Sequence, residues 1–338
     1  MPHADSMMLS VWLPLLAVVS PVLTESPSVR IVRLGNIAQA RYLESRYEEA
    51  LDAYRQLLPL MSAHLGEQHP DFAASLNNMA VMERILGRYH KAEQLHRRAL
   101  AIRETVLGPV HSDVAATLNN LAEVYREQKS FGKAEVFYRR ALGIWETVHG
   151  PNDGHIASAL TNLGQLFANQ GRFQEAEEVL GRAVSIWTSG QYRDDAGLLT
   201  AWNNLAFTYS NQKRYPLAEP LFRNALELCE RKLGPDHITT ATFLLNIADA
   251  LRLNRRYDEA ESMFQRSISI YKARLGPVHP QVAGAMAAYA ALLKEIGRKQ
   301  EARELRSTAE RIHGQHAQET STGYTVDVKE LSRKGLRQ

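Results

Sequence analysis

The sequence predicts an all-α protein built as a solenoid of stacked helical hairpins, and three kinds of recurring residue support this fold class. Small residues, asparagines and turn glycines each recur every 42 residues and keep one common register along the chain. Alanine occupies one position of seven successive segments: Ala50, Ala92, Ala134, Ala176, Ala218, Ala260 and Ala302. A fixed period of this size indicates stacked supersecondary units, so it overrules the two-domain expectation that the chain length alone would give.

The best-defined repeat, residues 112–151, predicts two antiparallel helices. Its apolar residues recur at intervals of three, four and seven, before and after a short polar joint at residues 128–130. Ala122 and Ala134 stand where the two backbones must come close. One hairpin cannot bury its own apolar face, so the sequence requires neighbouring hairpins on both sides.

These residues resemble the tetratricopeptide repeat. The matching text is LNNLAEVYREQ at 118–128, KAEVFYRRALGI at 133–144 and the closing turn LGPDH at 233–237. The resemblance is to the 42-residue, kinesin-light-chain-like type and covers residues 29–313. It implies a right-handed superhelix of about seven helix-turn-helix repeats, and it is specific for fold but weak for function, because one scaffold serves many partners.

Residues 1–28 precede the repeats and differ from them. Residues 9–23 are mostly apolar, which is short for a membrane-spanning helix but suits the apolar region of a secretory signal. No Lys or Arg precedes this run, and Asp5 is acidic, which argues against a signal. Two interpretations stay open: export or membrane tethering through residues 9–23, or a leader on a cytoplasmic protein.

The repeats differ in how closely they follow the pattern. Repeat one, residues 29–65, is degenerate, as terminal solenoid repeats commonly are. Repeats two and three, residues 71–148, match best, whereas repeat four replaces its closing turn with SGQYRDD at residues 189–195. Repeat seven, residues 281–313, has Ala288 in the asparagine position, which favours a capping role.

The polar C-terminal tail, residues 314–338, contains a short alternating segment at 324–331. Tyr324, Val326 and Val328 alternate with polar residues, which is the periodicity of a strand. The segment is either part of a disordered terminus or an extended stretch that lies against a helical surface, its own groove or a partner's.

The closing turns predict helix ends and helix starts. Gly108 before Pro109 is typical of a left-handed glycine that ends a helix, and proline in the first helical position, as at Pro280, opens one. Four histidines share the position before these starts: His69, His111, His237 and His279. Equivalent positions in stacked hairpins lie about 10 Å apart, too far for common zinc ligands, so we expect a turn role and no metal site.

The composition excludes several functional classes. The net charge of +3 gives no basic face for nucleic acid, and the 45% apolar and 23% charged content is ordinary for a soluble domain. Cys229, the only cysteine, lies on an apolar helix face and is predicted to be core. No phosphate loop, HExxH or GxSxG motif is present, so we predict no enzyme activity and no cofactor.

The predicted site is a peptide-binding groove lined by the first helix of each hairpin. The resemblance implies that the second asparagine of each LNNLA motif bonds the backbone of a bound peptide. Those residues are Asn78, Asn120, Asn162, Asn204 and Asn246, with Asn119 and Asn203 beside them. Side-chain selectivity is assigned to the position three residues on: Val81, Glu123, Gln165, Phe207 and Asp249. The alternative is that the asparagines bond between neighbouring helices and touch no ligand.

The predicted function is a non-enzymatic protein–protein interaction module that binds an extended peptide or protein segment. Two alternatives stay open: a scaffold that oligomerises through its terminal repeats, or an adaptor subunit of a larger enzyme or transport complex. The expected partner is a protein or peptide rather than nucleic acid, with a membrane involved only through the N-terminal leader. Repeat proteins of the resembled family use Lys and Arg side chains to hold the C-terminal carboxylate of a bound chaperone. The predicted groove lining lacks this pattern, which disfavours binding of chaperone C-termini.

Overall fold

The computed structural model describes residues 25–189 and 194–322, with side chains described up to residue 315. Within these residues there are fourteen α-helices and no strand, so the predicted all-α class is confirmed. The leader segment at 9–23, most of the altered turn after Ser189 and the alternating segment at 324–331 lie outside the described residues. The chain divides into two compact units, unit 1 up to residue 198 and unit 2 from residue 199.

Unit 1 contains four helical hairpins. Its helices are α1 (Pro27–Leu43), α2 (Tyr47–Leu65), α3 (Pro70–Ile85), α4 (Tyr89–Leu107), α5 (Ser112–Glu127), α6 (Phe131–His149), α7 (Gly154–Asn169) and α8 (Phe173–Thr188). The two helices of each hairpin pack together, and each hairpin packs on the next through α2 and α3, α4 and α5, and α6 and α7. This stacking supplies the apolar cover that a single hairpin lacks.

Unit 2 continues the same arrangement in its own core. Its helices are α9 (Asp195–Asn211, which begins just before the boundary), α10 (Tyr215–Leu233), α11 (Ile238–Leu253), α12 (Tyr257–Leu275), α13 (Pro280–Glu295) and α14 (Lys299–Thr322). Cys229 is fully buried in this core, and burial raises the pKa of its thiol to about 11, with Glu230 adding to the effect. The prediction of a core cysteine is confirmed.

Small residues stand where the paired helices approach most closely. Ala122 and Ala134 are fully buried, as predicted. Gly164 takes the place of Ala122 in repeat four, where a Cβ atom would lie 2.4 Å from Cγ of Leu180. The exchange of alanine for glycine therefore leaves room for the branched side chain of Leu180 in the facing helix.

The closing glycines have positive φ but an extended ψ. Gly108, for example, has φ 83° and ψ 161°, and the equivalent glycines at 66, 150, 234 and 276 share this conformation. The sequence predicted a left-handed helical glycine at Gly108. The observed combination of φ and ψ is open essentially to glycine alone. It therefore explains why glycine recurs at these turns better than the predicted left-handed helical conformation does.

The repeated histidines cap helix starts. Each ring accepts a hydrogen bond at Nδ1 from the backbone N–H two residues on: His69 at 3.2 Å, His111 at 3.1 Å, His237 at 3.2 Å and His279 at 3.2 Å. Each ring thereby satisfies one of the N–H groups that a helix start leaves unpaired. The predicted turn role of these four residues is confirmed.

Helix α14 continues beyond His313, the predicted end of the last repeat, to Thr322. Residues 315–322 contain neither proline nor glycine, so no helix-breaking residue ends the helix before Thr322. Among the helices that the structure describes, none combines the length and apolar content needed to cross a membrane.

Candidate functional site

The predicted site lies on what we call the first-helix surface, formed by the first helix of each hairpin. In unit 1 this surface comprises α3, α5 and α7, which contact one another in sequence. In unit 2 it comprises α9, α11 and α13, of which α11 contacts α13 directly. The predicted asparagines all lie on these six helices, so we describe the two surfaces in turn.

In unit 1 the asparagines form a ladder between neighbouring hairpins. The side-chain amide of Asn120 donates to Oδ1 of Asn77 at 3.3 Å, and that of Asn162 donates to Oδ1 of Asn119 at 3.4 Å. Asn119 and Asn120 are only 4% and 3% exposed, so little of either side chain is open to a bound peptide. Each instead bonds an asparagine of a neighbouring hairpin, as in the alternative interpretation of the sequence.

Charged residues extend the ladder in unit 1. The guanidinium of Arg84 pairs with Glu123 at 3.0 Å and with Glu127 at 2.6 Å. Asn162 also donates to Glu123 at 3.4 Å, and Glu123 is 7% exposed. The carboxylate of Glu123, predicted to contribute side-chain selectivity, therefore already bonds Arg84 and Asn162. Gln165, the equivalent residue on α7, is half-buried.

A buried histidine lies beneath the ladder. Nδ1 of His96 is 3.0 Å from Oδ1 of Asn77, the oxygen that also accepts from Asn120. Complete burial, together with the nearby cations Arg84 and Arg103, lowers the pKa of His96 to about 3. His96 is therefore neutral at physiological pH, with its Nδ1–H donating to the ladder.

Asn78 lies at the edge of the ladder in unit 1. Its amide donates to the hydroxyl of Tyr54 at 3.1 Å, because Gly35 replaces the acceptor asparagine in repeat one. Val81, one helical turn further along α3, is half-buried.

Unit 2 has one rung of the ladder and a more open surface. The amide of Asn246 donates to Oδ1 of Asn203 at 2.8 Å, and both residues are half-buried. Within the described residues the amide nitrogen of Asn204 is buried without a hydrogen-bond partner. Phe207, the selectivity residue of repeat five, is 52% exposed.

A cavity of about 270 Å³ opens beside this rung, and we call it the unit 2 cavity. It is lined by Asn203, Phe207, Ser210, Asn211, Phe222, Asn246, Asp249, Ala250 and Leu253. Phe222 is buried, whereas Phe207 and Leu253 are exposed. The cavity brings four of the predicted site residues together: Asn203, Phe207, Asn246 and Asp249. It does not include Asn204.

Sequence reasoning missed the acceptor residue Asn77 and five lining residues, Ser210, Asn211, Phe222, Ala250 and Leu253. The paired asparagines at 77–78, 119–120 and 203–204 carried a signal for the ladder. With a 42-residue period, the first asparagine of one repeat faces the second of the next, 43 residues on. In the part of the chain that the structure describes, no group of three or more His, Cys, Asp or Glu is placed to hold a metal ion.

Comparison with known families gives one repeated match. The model described as "Tetratricopeptide repeat" matches residues 31–105, 71–147, 113–189, 197–273 and 239–313. No curated protein sequence matches the chain.

Several solved structures share the fold. BtubC (BKLC) from P. vanneervenii is 25% identical, with 62% of this chain and 82% of that chain covered and a TM-score of 0.54. A Podosopora anserina protein with kinesin light chain TPR-like repeats is 20% identical, with 61% and 97% covered and a TM-score of 0.52. The apo form of the quorum sensor NprR from B. thuringiensis is 14% identical, with 85% and 77% covered and a TM-score of 0.66.

Proposed function

Because the chain belongs to the tetratricopeptide repeat family and is of its kinesin-light-chain-like type, we propose that it binds an extended protein segment on the first-helix surface of unit 2. Membership of this family supports the general assignment of a protein-interaction module. What we propose beyond it is that the partner is an extended segment and that it binds on unit 2. We further propose that the chain itself catalyses no reaction and acts through its partner.

The observation that carries the proposal is the unit 2 cavity beside the Asn203–Asn246 amide pair. A carboxamide offers both a donor and an acceptor, so it can pair with a peptide unit whatever the side chain. The exposed ring of Phe207 supplies apolar contact area next to these amides. Asp249, whose side chain is 46% exposed, adds a polar contact at the same place.

The other predicted residues differ in how they could take part. In unit 1, Asn119, Asn162 and Glu123 already bond one another, Glu123 also bonds Arg84, and Asn120 bonds Asn77. Asn78, Val81, Gln165 and Asn204 lie outside the cavity lining. We therefore place binding on the unit 2 residues, and a ligand role for the other eight stays a prediction.

Selection from a displayed library of random 12-residue peptides, with the full chain as target, tests the proposal. We expect enriched peptides to bind with micromolar affinity, because ordering a flexible peptide costs several kcal/mol of the interaction energy. Phe207→Ala and Asn246→Ala should each weaken binding about tenfold in fluorescence anisotropy.

Gln165→Ala is the matched control, since Gln165 occupies the position of Phe207 in a repeat of unit 1, and it should leave affinity unchanged. Replacing Asn120 and Asn162 together by alanine should lower the unfolding midpoint, because it removes two rungs of the ladder. A selection that enriches no peptide, or affinity that responds to Gln165 and not to Phe207, would overturn the proposal.

A further inference from the structure

The unit 2 cavity combines aromatic walls with a single charged residue. Of its nine lining residues, two are phenylalanines, and the one charged side chain is the carboxylate of Asp249. Arg252 lies outside the lining and bridges Asp249, at 2.8 Å, to Glu295 on α13. Two carboxylates thus share one guanidinium. Both hydrogen bonds from Arg252 to Asp249 go to Oδ1, and the Asp249 side chain is 46% exposed.

Two further polar side chains line the cavity but offer little to a ligand. Oγ of Ser210 is buried and has no hydrogen-bond partner among the described residues. Because this oxygen has almost no exposed surface, a ligand in the cavity does not reach it. The amide group of Asn211 also lines the cavity, and its Nδ2 already donates to the carbonyl of Phe207 at 2.8 Å.

The volume limits what can enter. At about 270 Å³, the cavity is smaller than the roughly 300–1,000 Å³ of small-molecule sites, and it suits one long side chain of a bound segment. An aliphatic side chain would cover the partly exposed carboxylate of Asp249 without bonding it. Removing water from this carboxylate with no replacement partner would oppose its binding.

We propose that the unit 2 cavity takes one arginine side chain from the bound segment. The proposal rests on the proposed function, because it names the residue that the segment must present. The planar guanidinium can stack on the exposed face of Phe207 and donate to the Asp249 carboxylate through two parallel N–H groups. Lysine offers a point charge with neither the planar face nor the paired donors, so it binds more weakly.

The test uses the peptides enriched from the 12-residue library against the full chain. We expect them to share an arginine at one position. For each synthetic peptide, exchange of that arginine for citrulline, which keeps the shape and removes the charge, should weaken binding about tenfold or more. Exchange for lysine should weaken it by about threefold, and exchange for leucine by about tenfold.

Variants of the protein locate the contact. Asp249→Asn should weaken the arginine peptide about tenfold but change the affinity of the citrulline peptide by less than about twofold, because the two changes remove the same interaction. Asp258→Asn is the matched control: it makes the same charge change in unit 2, on the exposed first turn of α12, and should have no effect. Circular dichroism confirms that each variant is folded.

The outcomes separate this inference from the proposed function. Peptides that bind without a shared arginine, or that bind as well with leucine or citrulline, would overturn the arginine assignment and leave the peptide-binding proposal standing. An arginine preference that survives Asp249→Asn and Phe207→Ala would also overturn it, because the arginine would then bind elsewhere. A library that enriches nothing would overturn both.

Discussion

At the scale of single residues, polar side chains in this protein differ according to whether a neighbouring hairpin covers them. Asn120 and Asn246 occupy the same repeat position, yet Asn120 is 3% exposed and Asn246 is half-buried beside a cavity. His96 is the extreme case, because it is fully buried and its single hydrogen bond goes to the ladder residue Asn77.

The burial of His96 predicts a loss of stability in mild acid. Its folded-state pKa of about 3 lies below the ordinary value of about 6.5, so between these pH values the unfolded chain binds a proton that the folded chain excludes. The free energy of unfolding should therefore fall as pH drops below about 6.5, by up to about 1.4 kcal/mol per pH unit, until the pH nears 3.

Urea unfolding of the wild type and of His96→Gln at several pH values measures this effect. The difference between the two should shrink by about 2 kcal/mol between pH 6.5 and pH 5, because glutamine does not titrate. His90→Gln, an exposed histidine on the same helix, is the control and should follow the wild-type curve. A constant difference across this range would contradict the prediction.

At the scale of helices and turns, the hairpins are defined by local chemistry that recurs in most repeats. Glycines with positive φ close the repeats, and histidine rings cap the next helices. Arginines at the start of the second helices add ion pairs to the preceding hairpin, as Arg172 does with Glu135 at 2.6 Å and Arg298 with Glu261 at 2.7 Å. These pairs are partly exposed, so each contributes little stability.

The joint inside each hairpin predicts a stabilising substitution. Lys129 has φ 59°, a left-handed conformation that glycine occupies at the same place in repeat two, as Gly87 with φ 74°. Lys129→Gly should raise the free energy of unfolding by about 0.5–1 kcal/mol, because it removes the steric cost that a Cβ atom brings to this conformation.

The reverse exchange is the matched control for this prediction. Gly87→Ala should lower stability by about 1–2 kcal/mol through the backbone alone, since a Cβ atom there meets nothing within 4 Å. Both values can be read from chemical unfolding curves. Stabilisation by both substitutions, or by neither, would show that the joint is not held in this conformation in solution.

At the scale of the whole molecule, the described hairpins within each unit contact one another in sequence order. Several polar contacts between successive hairpins join residues 43 apart, as in Asn120 with Asn77, Arg84 with Glu127, and Arg252 with Glu295. Stability in such a chain is approximately a sum of hairpin terms and nearest-neighbour terms. The effect of a destabilising substitution in one hairpin on the stability of the others should therefore decrease with distance along the sequence.

Leu118→Ala tests this locality. Leu118 is fully buried in α5, and its truncation should cost about 2–5 kcal/mol. Hydrogen exchange should then show lost protection in α4 to α7, and protection close to the wild type in α11 to α13. Leu43→Ala, at a side chain that is 72% exposed, is the control and should change neither region. Equal losses in both regions would contradict nearest-neighbour behaviour.

The sequence alone determined the hairpins, their period and their turns. These features depend on interactions within about one repeat, such as the apolar spacing of residues 112–151, the closing glycines and the histidine caps. Each is encoded by residue types at fixed offsets, so periodicity and turn chemistry are sufficient to find them. The core position of Cys229 followed from the same spacing.

Only the tertiary structure decided which polar residues are covered and where a cavity opens. The sequence gives Asn120 and Asn246 the same motif, but their burial depends on side chains from other hairpins, such as Asn77 for one and Phe222 for the other. The burial of these two asparagines arises from contacts between residues far apart in the chain, so the local spacing that marks apolar core positions does not record it. The exposed ring of Phe207 and the carboxylate of Asp249 became candidates for one binding site only when α9 and α11 were seen packed together.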